Sequence, residues 1–421
     1  MRKLITNWIQ YTICLLLLCI IAQPANGEQL TIVEANTTNR PNTPEVITFY
    51  ALGDWGAGYL KQEPVAIALE RNVASIPKGR RMSPFAIGLG DNIYPSGLPF
   101  HKGLNDLIYA WNDPEVINAL ENTFGQVYKN VHYNDIPIPF HILPGNHDHE
   151  GRNRKKNSTG DILLQETRAE NLYPGWWAYY PINHHIAGAN DTNDFREYVT
   201  LRKYADEHGY YGLTLPQTLT LPTQNTVVCI ALDTQVILEM YEEDDEWLEQ
   251  HWARLEEILK IHEQTPWKII LGHHPIASWG KHGGAEGGVK GLVRYGVGFM
   301  QDLDDGDYRK FRKRLASIMK THNAHLYIAG HEHNLQFITL DKQDPDLLQL
   351  DQNYIQIVSG NAGKVDRLSK KHKALFAYAE QTGFVRLDAT SVELWVEFLT
   401  YDRKSGDDHS LGTWRVKRMD E

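Results

Sequence analysis

The chain has 421 residues, 42% of them hydrophobic, and a formal net charge of −11. Such a chain can bury a sizeable core, in one large domain or two ordinary ones. No basic run of five or more residues interrupts the acidic balance, which argues against nucleic acid as a partner.

Residues 1–27 read as a signal peptide. Arg2 and Lys3 start it, an apolar stretch from Tyr11 to Ala22 follows, and Ala25-Asn26-Gly27 offers small residues for cleavage. The apolar stretch is shorter than the ~20 residues a membrane span needs. The expectation is an exported protein (secreted, periplasmic or in another exported compartment) with no stable membrane insertion after signal removal. Cys14 and Cys19 leave with the signal. Cys229 is then alone and reads as a small buried hydrophobe. Asn36-Thr37-Thr38, Asn157-Ser158-Thr159 and Asn190-Asp191-Thr192 are glycosylation sequons in a eukaryotic host.

Residues 28–44 are polar and read as a flexible N-terminal arm; 45–421 read as one domain. Apolar runs predict strands at Val46–Leu52, Ser83–Leu89, Ile136–Ile142, Thr226–Leu232, Trp267–Leu271, His325–Ala329 and Tyr354–Ser359. Helical spacing predicts helices at Gln62–Val73, Asp244–His262 and Tyr308–Thr321. Asn171–Pro181 gathers Tyr173, Trp176, Trp177, Tyr179 and Tyr180, read as core packing. Asn183–Tyr211 shows no period. Past Leu375 the pattern becomes strands without helices, at Phe384–Asp388 and Val392–Leu399. The fold class is therefore α/β, with two mixed β-sheets packed face to face and helices on the outside.

Five apolar runs end in residues that bind metals: Asp54; Asp91, Asn92 and Tyr94; Asn146, His147 and Asp148; His273 and His274; His331 and His333. Each lies beside a glycine, at the strand end where open α/β sheets bind ligands. One such end is a common turn; five in one chain make a metal site. Carboxylate, imidazole, amide and phenol groups without a thiolate suit a two-metal hydrolytic centre holding Fe, Mn or Zn.

These blocks, Gly53-Asp54-Trp55-Gly56, Gly90-Asp91-Asn92-Ile93-Tyr94, Gly145-Asn146-His147-Asp148, Gly272-His273-His274-Pro275 and Gly330-His331-Glu332-His333, resemble those of the purple acid phosphatases, within the calcineurin-like metallophosphoesterases. Asp148-His149, His282, Asn334-Leu335-Gln336 and Ser359-Gly360 make the small tartrate-resistant type the most similar. The resemblance implies a four-layer αββα sandwich. It implies Fe(III) on Asp54, Tyr94 and His333, a second divalent ion (Fe, Zn or Mn) on Asn146, His273 and His331, and Asp91 bridging them. His147 and His282 would flank the substrate phosphate and protonate the leaving alkoxide, and Asp148 would orient His147. Asn92 would bond the phosphate or shape its turn. His274 stands where animal members have Tyr and is expected to pack beside the site. His149, His184 and His185 are expected in polar loops or at the surface.

The expected function is hydrolysis of phosphate monoesters, with an acidic optimum, by direct attack of a metal-bound hydroxide. The substrate is a small phosphorylated molecule and the protein a monomer. One alternative is a phosphodiesterase or a nucleotide or phospholipid-headgroup phosphoesterase on the same scaffold. Another is an exported iron-binding protein with incidental phosphatase activity.

Overall fold

Alternation decides how the strands are used. In Ile47–Leu52, Phe49 and Ala51 point one way and Tyr50 and Leu52 the other, yet all are buried. A strand with two dry faces needs a layer on each side. The computed structural model describes residues 29–98, 113–149, 162–173, 175–179, 216–218, 226–283, 303–340, 347, 350–351, 353–369 and 373–419. The signal segment, the sequons at Asn157 and Asn190, and Tyr180, His184 and His185 lie outside them.

In chain order the described elements are β1 (Gln29–Glu34), β2 (Ile47–Leu52), α1 (Tyr59–Ala74), β3 (Phe85–Leu89), α2 (Pro114–Leu120), β4 (His132–Tyr133), β5 (Ile136–Pro137), β6 (Phe140–Leu143), α3 (Ile162–Leu172) and β7 (Trp177–Tyr179). Then come β8 (Gln217–Thr218), β9 (Val227–Ala231), α4 (Thr234–Glu243), α5 (Asp245–Ile261), β10 (Trp267–Gly272), α6 (Gly306–Thr321), β11 (Leu326–Ala329), β12 (Leu335–Thr339), β13 (Ile355–Ser359) and β14 (Phe376–Tyr378). The chain closes with β15 (Gly383–Ala389), β16 (Glu393–Asp402) and β17 (Asp407–Met419).

One sheet runs β1-β17-β16-β15-β2-β3-β6-β7, the other β14-β12-β13-β11-β10-β9-β8. Strands β2, β3, β6 and β7 are parallel, as are β9, β10, β11 and β13; antiparallel strands flank both groups. Phe49, Ile87 and Leu387 from the first sheet meet Cys229, Ile269, Ile328 and Ile357 from the second in a shared core. Tyr50, Leu52 and Ile142 instead pack on Val65, Leu69 and Val73 of α1. Ile230 and Ile270 pack with Trp252 and Leu255 of α5 and Phe311 and Leu315 of α6. The layers are helix, sheet, sheet, helix. Cys229 is buried between the sheets, and burial pushes its thiol up. Trp177 and Tyr173 join Trp55 and Phe124 in the core, with Phe124 and Trp177 centroids 4.4 Å apart.

Two expectations need correction, and one helix is new. Residues 29–34 are no free arm: β1 pairs antiparallel with β17, from Gln29 opposite Met419 to Glu34 opposite Trp414. Arg40 then anchors the segment on two buried carboxylates, Asp388 (3.3 Å) and Glu397 (2.5 Å). Leu30 and Ile32 alternate toward the inter-sheet core, a two-residue apolar signal that is easily lost beside the polar residues of 35–44. The strand expected over Ile136–Ile142 is split. Only Phe140–Leu143 joins the sheet, because Pro137 and Pro139 offer no N–H to a ladder; Ile136–Pro137 pair with His132–Tyr133 and leave Ile136 66% exposed. Helix α4 was not anticipated; Asp233 caps it by accepting from Val236 N at 3.3 Å. Among the described residues no helix is long and apolar enough to cross a membrane.

Candidate metal centre

The C-terminal ends of β2, β3 and β6 in one sheet and of β10 and β11 in the other meet at one place. Their loops pack backbone on backbone, which explains the glycines. A Cβ on Gly90 would lie 2.6 Å from His273 Nδ1, and one on Gly145 would lie 2.4 Å from Asp91 N. Asp54, Asp91 and His331 take left-handed backbone angles, with φ of 56°, 54° and 67°. Such strained residues collect at functional sites.

The polar atoms form two halves. In the first, the Tyr94 hydroxyl lies 3.1 Å from Asp54 Oδ1, 2.8 Å from Asp91 Oδ2 and 3.2 Å from His333 Nε2. His333 Nδ1 donates to Asp366 Oδ2 at 2.8 Å, so Nε2 is the nitrogen that turns inward. In the second, Asn146 Oδ1 lies 3.0 Å from His273 Nε2 and 3.1 Å from His331 Nδ1, and those two nitrogens are 3.3 Å apart. His273 Nδ1 donates to Leu89 O at 2.7 Å, which again leaves Nε2 facing inward. Asp91 belongs to both halves. Its Oδ2 meets Tyr94, while its Oδ1 lies 3.4 Å from His273 Nε2 and accepts from His147 N at 2.9 Å.

The electrostatics match ligands waiting for cations. Burial opposes ionisation of Asp91, but His273, His147 and the bonds from His147 N and Tyr94 hold it well below the usual carboxylate range. Burial and the imidazoles of His274, His282 and His273 keep His331 well below its ordinary value, hence neutral. Burial and the carboxylates of Asp54 and Asp91 keep the Tyr94 proton in place; a cation there would displace it. Asp54, Asp91 and His273 offer ligand atoms within 4.8 Å of one another, as do His273, His274 and His331. The nitrogen lone pairs, carboxylate oxygens and amide oxygen thus fit a pair of metal ions.

A family model, the calcineurin-like phosphoesterases, matches residues 47–335. The chain belongs to this family. Its curated relatives include the tartrate-resistant acid phosphatase type 5 of Sus scrofa, 24% identical over 388 residues and 89% of both chains. Purple acid phosphatase 4 of Arabidopsis thaliana is 24% identical over 418 residues, 97% of this chain and 92% of its own. Among solved structures, the fold is similar to GAP50, the anchor in the inner membrane complex of Plasmodium (TM-score 0.51, 19% identity, 87% of this chain and 89% of that one). It is also similar to the purple acid phosphatase PPD1 of yellow lupin, Lupinus luteus (TM-score 0.51, 13% identity, 90% of this chain and 55% of that one). The protein is a metal-dependent phosphoesterase of this fold.

Around the phosphoesterase centre, Asp148 and His149 depart from expectation, while Asn92 and His274 take roles the sequence allowed. Asp148 does not orient His147. It is buried, and its oxygens accept from Gly145 N, Asn92 N, Ile93 N, Asn92 Nδ2 and Gln165 Nε2 at 2.8 to 3.2 Å. Burial and the Asp91 carboxylate push it up to about 6, against those bonds. Asn92 shapes its turn and has no amide group to spare for phosphate: Oδ1 accepts from Trp55 Nε1 at 2.7 Å, and Nδ2 donates to Leu143 O and Asp148 Oδ2, both at 2.9 Å. His274 packs edge-on to His273, with Nδ1 2.8 Å from Thr234 Oγ1. Its Nε2 is buried without a hydrogen-bond partner among the described residues, which makes it a further candidate ligand beside His331. His149 is no surface residue: its Nε2 lies 2.7 Å from Asp233 Oδ2, with 12% of the side chain exposed.

His147 and His282 sit on different halves. The His147 ring is 4.6 Å from Tyr94, its Nδ1 bonds Pro95 O, and its side chain is 37% exposed. The His282 ring is 4.7 Å from His331. Its loop hangs on Glu332, the residue between the two histidines of the fifth block. Glu332 is buried and accepts from Ser278 Oγ at 2.7 Å and from Lys281 N and His282 N at 2.8 Å. Sequence reasoning missed Glu332 and Asp366. For Glu332 the signal was an acid between two ligands on a buried strand end; for Asp366 there was none.

Proposed function

We propose that this chain is an acid phosphatase that hydrolyses phosphate monoesters at a dinuclear Fe(III)–M(II) centre, M being Fe, Zn or Mn. Asp54, Tyr94 and His333 would hold the ferric ion and Asn146, His273 and His331 the divalent one. The observation that carries the reading is Asp91, which turns one carboxylate oxygen to each half. Phenolate is a hard anionic donor suited to Fe(III), whereas an amide and two neutral imidazoles suit a divalent ion. Cations there would acidify water to supply the nucleophile and would neutralise phosphoryl charge.

The chain's own residues do the rest. His147 stands at the mouth with its ring against Tyr94, in reach of the leaving oxygen of an ester seated between the halves. His282 is fixed on the other side by Glu332. A protonated imidazole in either place gives its proton to the departing alkoxide. Activity is therefore expected to peak in mild acid and to fall as that histidine loses its proton.

The test is metal analysis and a visible spectrum of the purified protein, with rates on p-nitrophenyl phosphate and on its bis ester. One iron and one divalent ion per chain, an absorption band in the green-to-yellow region that Tyr94→Phe abolishes, and faster monoester turnover are expected. A colourless protein with two zinc or manganese ions overturns the iron assignment. Faster turnover of the bis ester overturns the monoester assignment.

A further inference from the structure

Lys364 reaches the site from a segment that carries no ligand. The backbone after β13 is pinned to two ligand loops by three bonds: Gly360 N donates to Asn334 O (3.2 Å) and Asp366 N to His333 O (2.8 Å) in the loop after β11, and Ala362 N to Gly53 O (3.2 Å) in the loop after β2. Gly363 presses so closely on the carbonyls of Asp54 and Trp55 that a Cβ there would lie 2.9 Å from both. The lysine therefore starts from a fixed point. Its Nζ lies 2.9 Å from the centroid of the Tyr94 ring, the same ring that His147 meets at 4.6 Å.

An aromatic face attracts an ammonium but satisfies none of its three N–H donors. Among the described residues, Lys364 Nζ makes no hydrogen bond and no ion pair, although Asp54, Asp91 and Asp366 are near enough to act on it electrostatically. Half-buried cations without an acceptor are costly, and an oxyanion bound beside Tyr94 would supply the acceptor. Burial pulls the Lys364 ammonium below its ordinary value, with Asp91 and Asp54 opposing. Lys61 adds a second positive charge in the same field.

We propose that Lys364 is a substrate-binding residue whose ammonium leaves the face of the Tyr94 ring to take an oxygen of the phosphoryl group. This deepens the phosphatase reading and rests on it. The charge is fixed to the protein, so it favours doubly ionised groups: monoesters and inorganic phosphate over diesters.

The test is calorimetric titration of metal-loaded protein with inorganic phosphate, alongside steady-state kinetics, for wild type, Lys364→Met and Lys364→Arg. In Lys364→Met the phosphate Kd is expected to rise about tenfold, which is about 1.4 kcal/mol. KM for a monoester rises with it, kcat falls less, and metal content and Tm stay put. Lys364→Arg recovers most of the affinity. Unchanged phosphate affinity in Lys364→Met overturns the proposal. So does loss of metal from that variant, which would make Lys364 a counter-charge for the carboxylates. Wild-type protein that neither binds phosphate nor turns over a monoester would instead overturn the phosphatase reading beneath it.

Discussion

The two halves of the centre are built from different chemistry on equivalent places in the fold. The half around Tyr94 is rich in oxygen: two carboxylates and a phenol, with one imidazole held by Asp366. The half around Asn146 is rich in nitrogen: an amide oxygen and two imidazoles, His273 steadied through its outer nitrogen by the Leu89 carbonyl rather than by a carboxylate. The first sheet supplies Asp54, Asp91 and Asn146, and the second supplies the histidines. Each half is thus a seam between sheets, and the difference lies in what the β3 loop adds. Tyr94, three residues past Asp91, adds a phenol oxygen to the carboxylates of Asp54 and Asp91 that make this half anionic.

The comparison breaks most completely at Asp91, the one shared residue. Asp91→Asn removes the bridging charge from both halves, so metal content should drop below two per chain. Turnover should fall on the order of 10³-fold or more, read by metal analysis and steady-state kinetics. Next come the histidines, one on each half. His147→Asn and His282→Asn should each retain metal. The variant that lost the general acid should lose on the order of 10²–10³ in kcat, and more on an alkyl phosphate than on p-nitrophenyl phosphate, whose leaving group needs no proton. Equal losses on both substrates would assign that histidine to phosphate binding instead.

Asp366→Asn sharpens the contrast. It should weaken the oxygen-rich half alone by roughly 10–100-fold in metal affinity, measured by chelator competition. The smallest effect concerns stability at the seam beside the nitrogen-rich half, where His149 meets Asp233. Despite burial, Asp233 raises His149 to about 9. A raised histidine stabilises the fold fully below its unfolded value and loses that contribution as pH climbs through the folded one. Denaturant unfolding should therefore show wild-type stability declining between about pH 6.5 and 9, by on the order of 2–3 kcal/mol. His149→Gln should flatten that decline.

The candidate ligands were legible because their blocks each follow an apolar run and a glycine, a local signal that needs no partner. The layering was legible for the same reason, from buried runs such as Ile47–Leu52 and Trp267–Gly272. What stayed hidden was set by distant neighbours. In β17, Thr413, Trp414 and Val416 are buried while Asp407, Asp408 and His409 are exposed, so no alternation marks its start. Strand β1, at the sheet edge, turns only Leu30 and Ile32 toward the core, too short an alternation to stand out, and Arg40 looks like any surface arginine until Asp388 and Glu397 come beneath it. Asp148 was read as a partner of His147, and Asn92 as either a phosphate contact or a turn residue, because they sit inside the blocks. Their polar atoms turn inward, and hold the turns that aim their neighbours.

The turn after β11 carries His331 and His333 toward the centre and Glu332 toward the loop of His282. Adjacent side chains on one short turn thus serve separate tasks, and the middle one can be altered without removing a ligand. Shortening it by a methylene, Glu332→Asp, should shift the loop of His282 while leaving the candidate metal ligands in place, so loop position and metal loading are expected to vary independently.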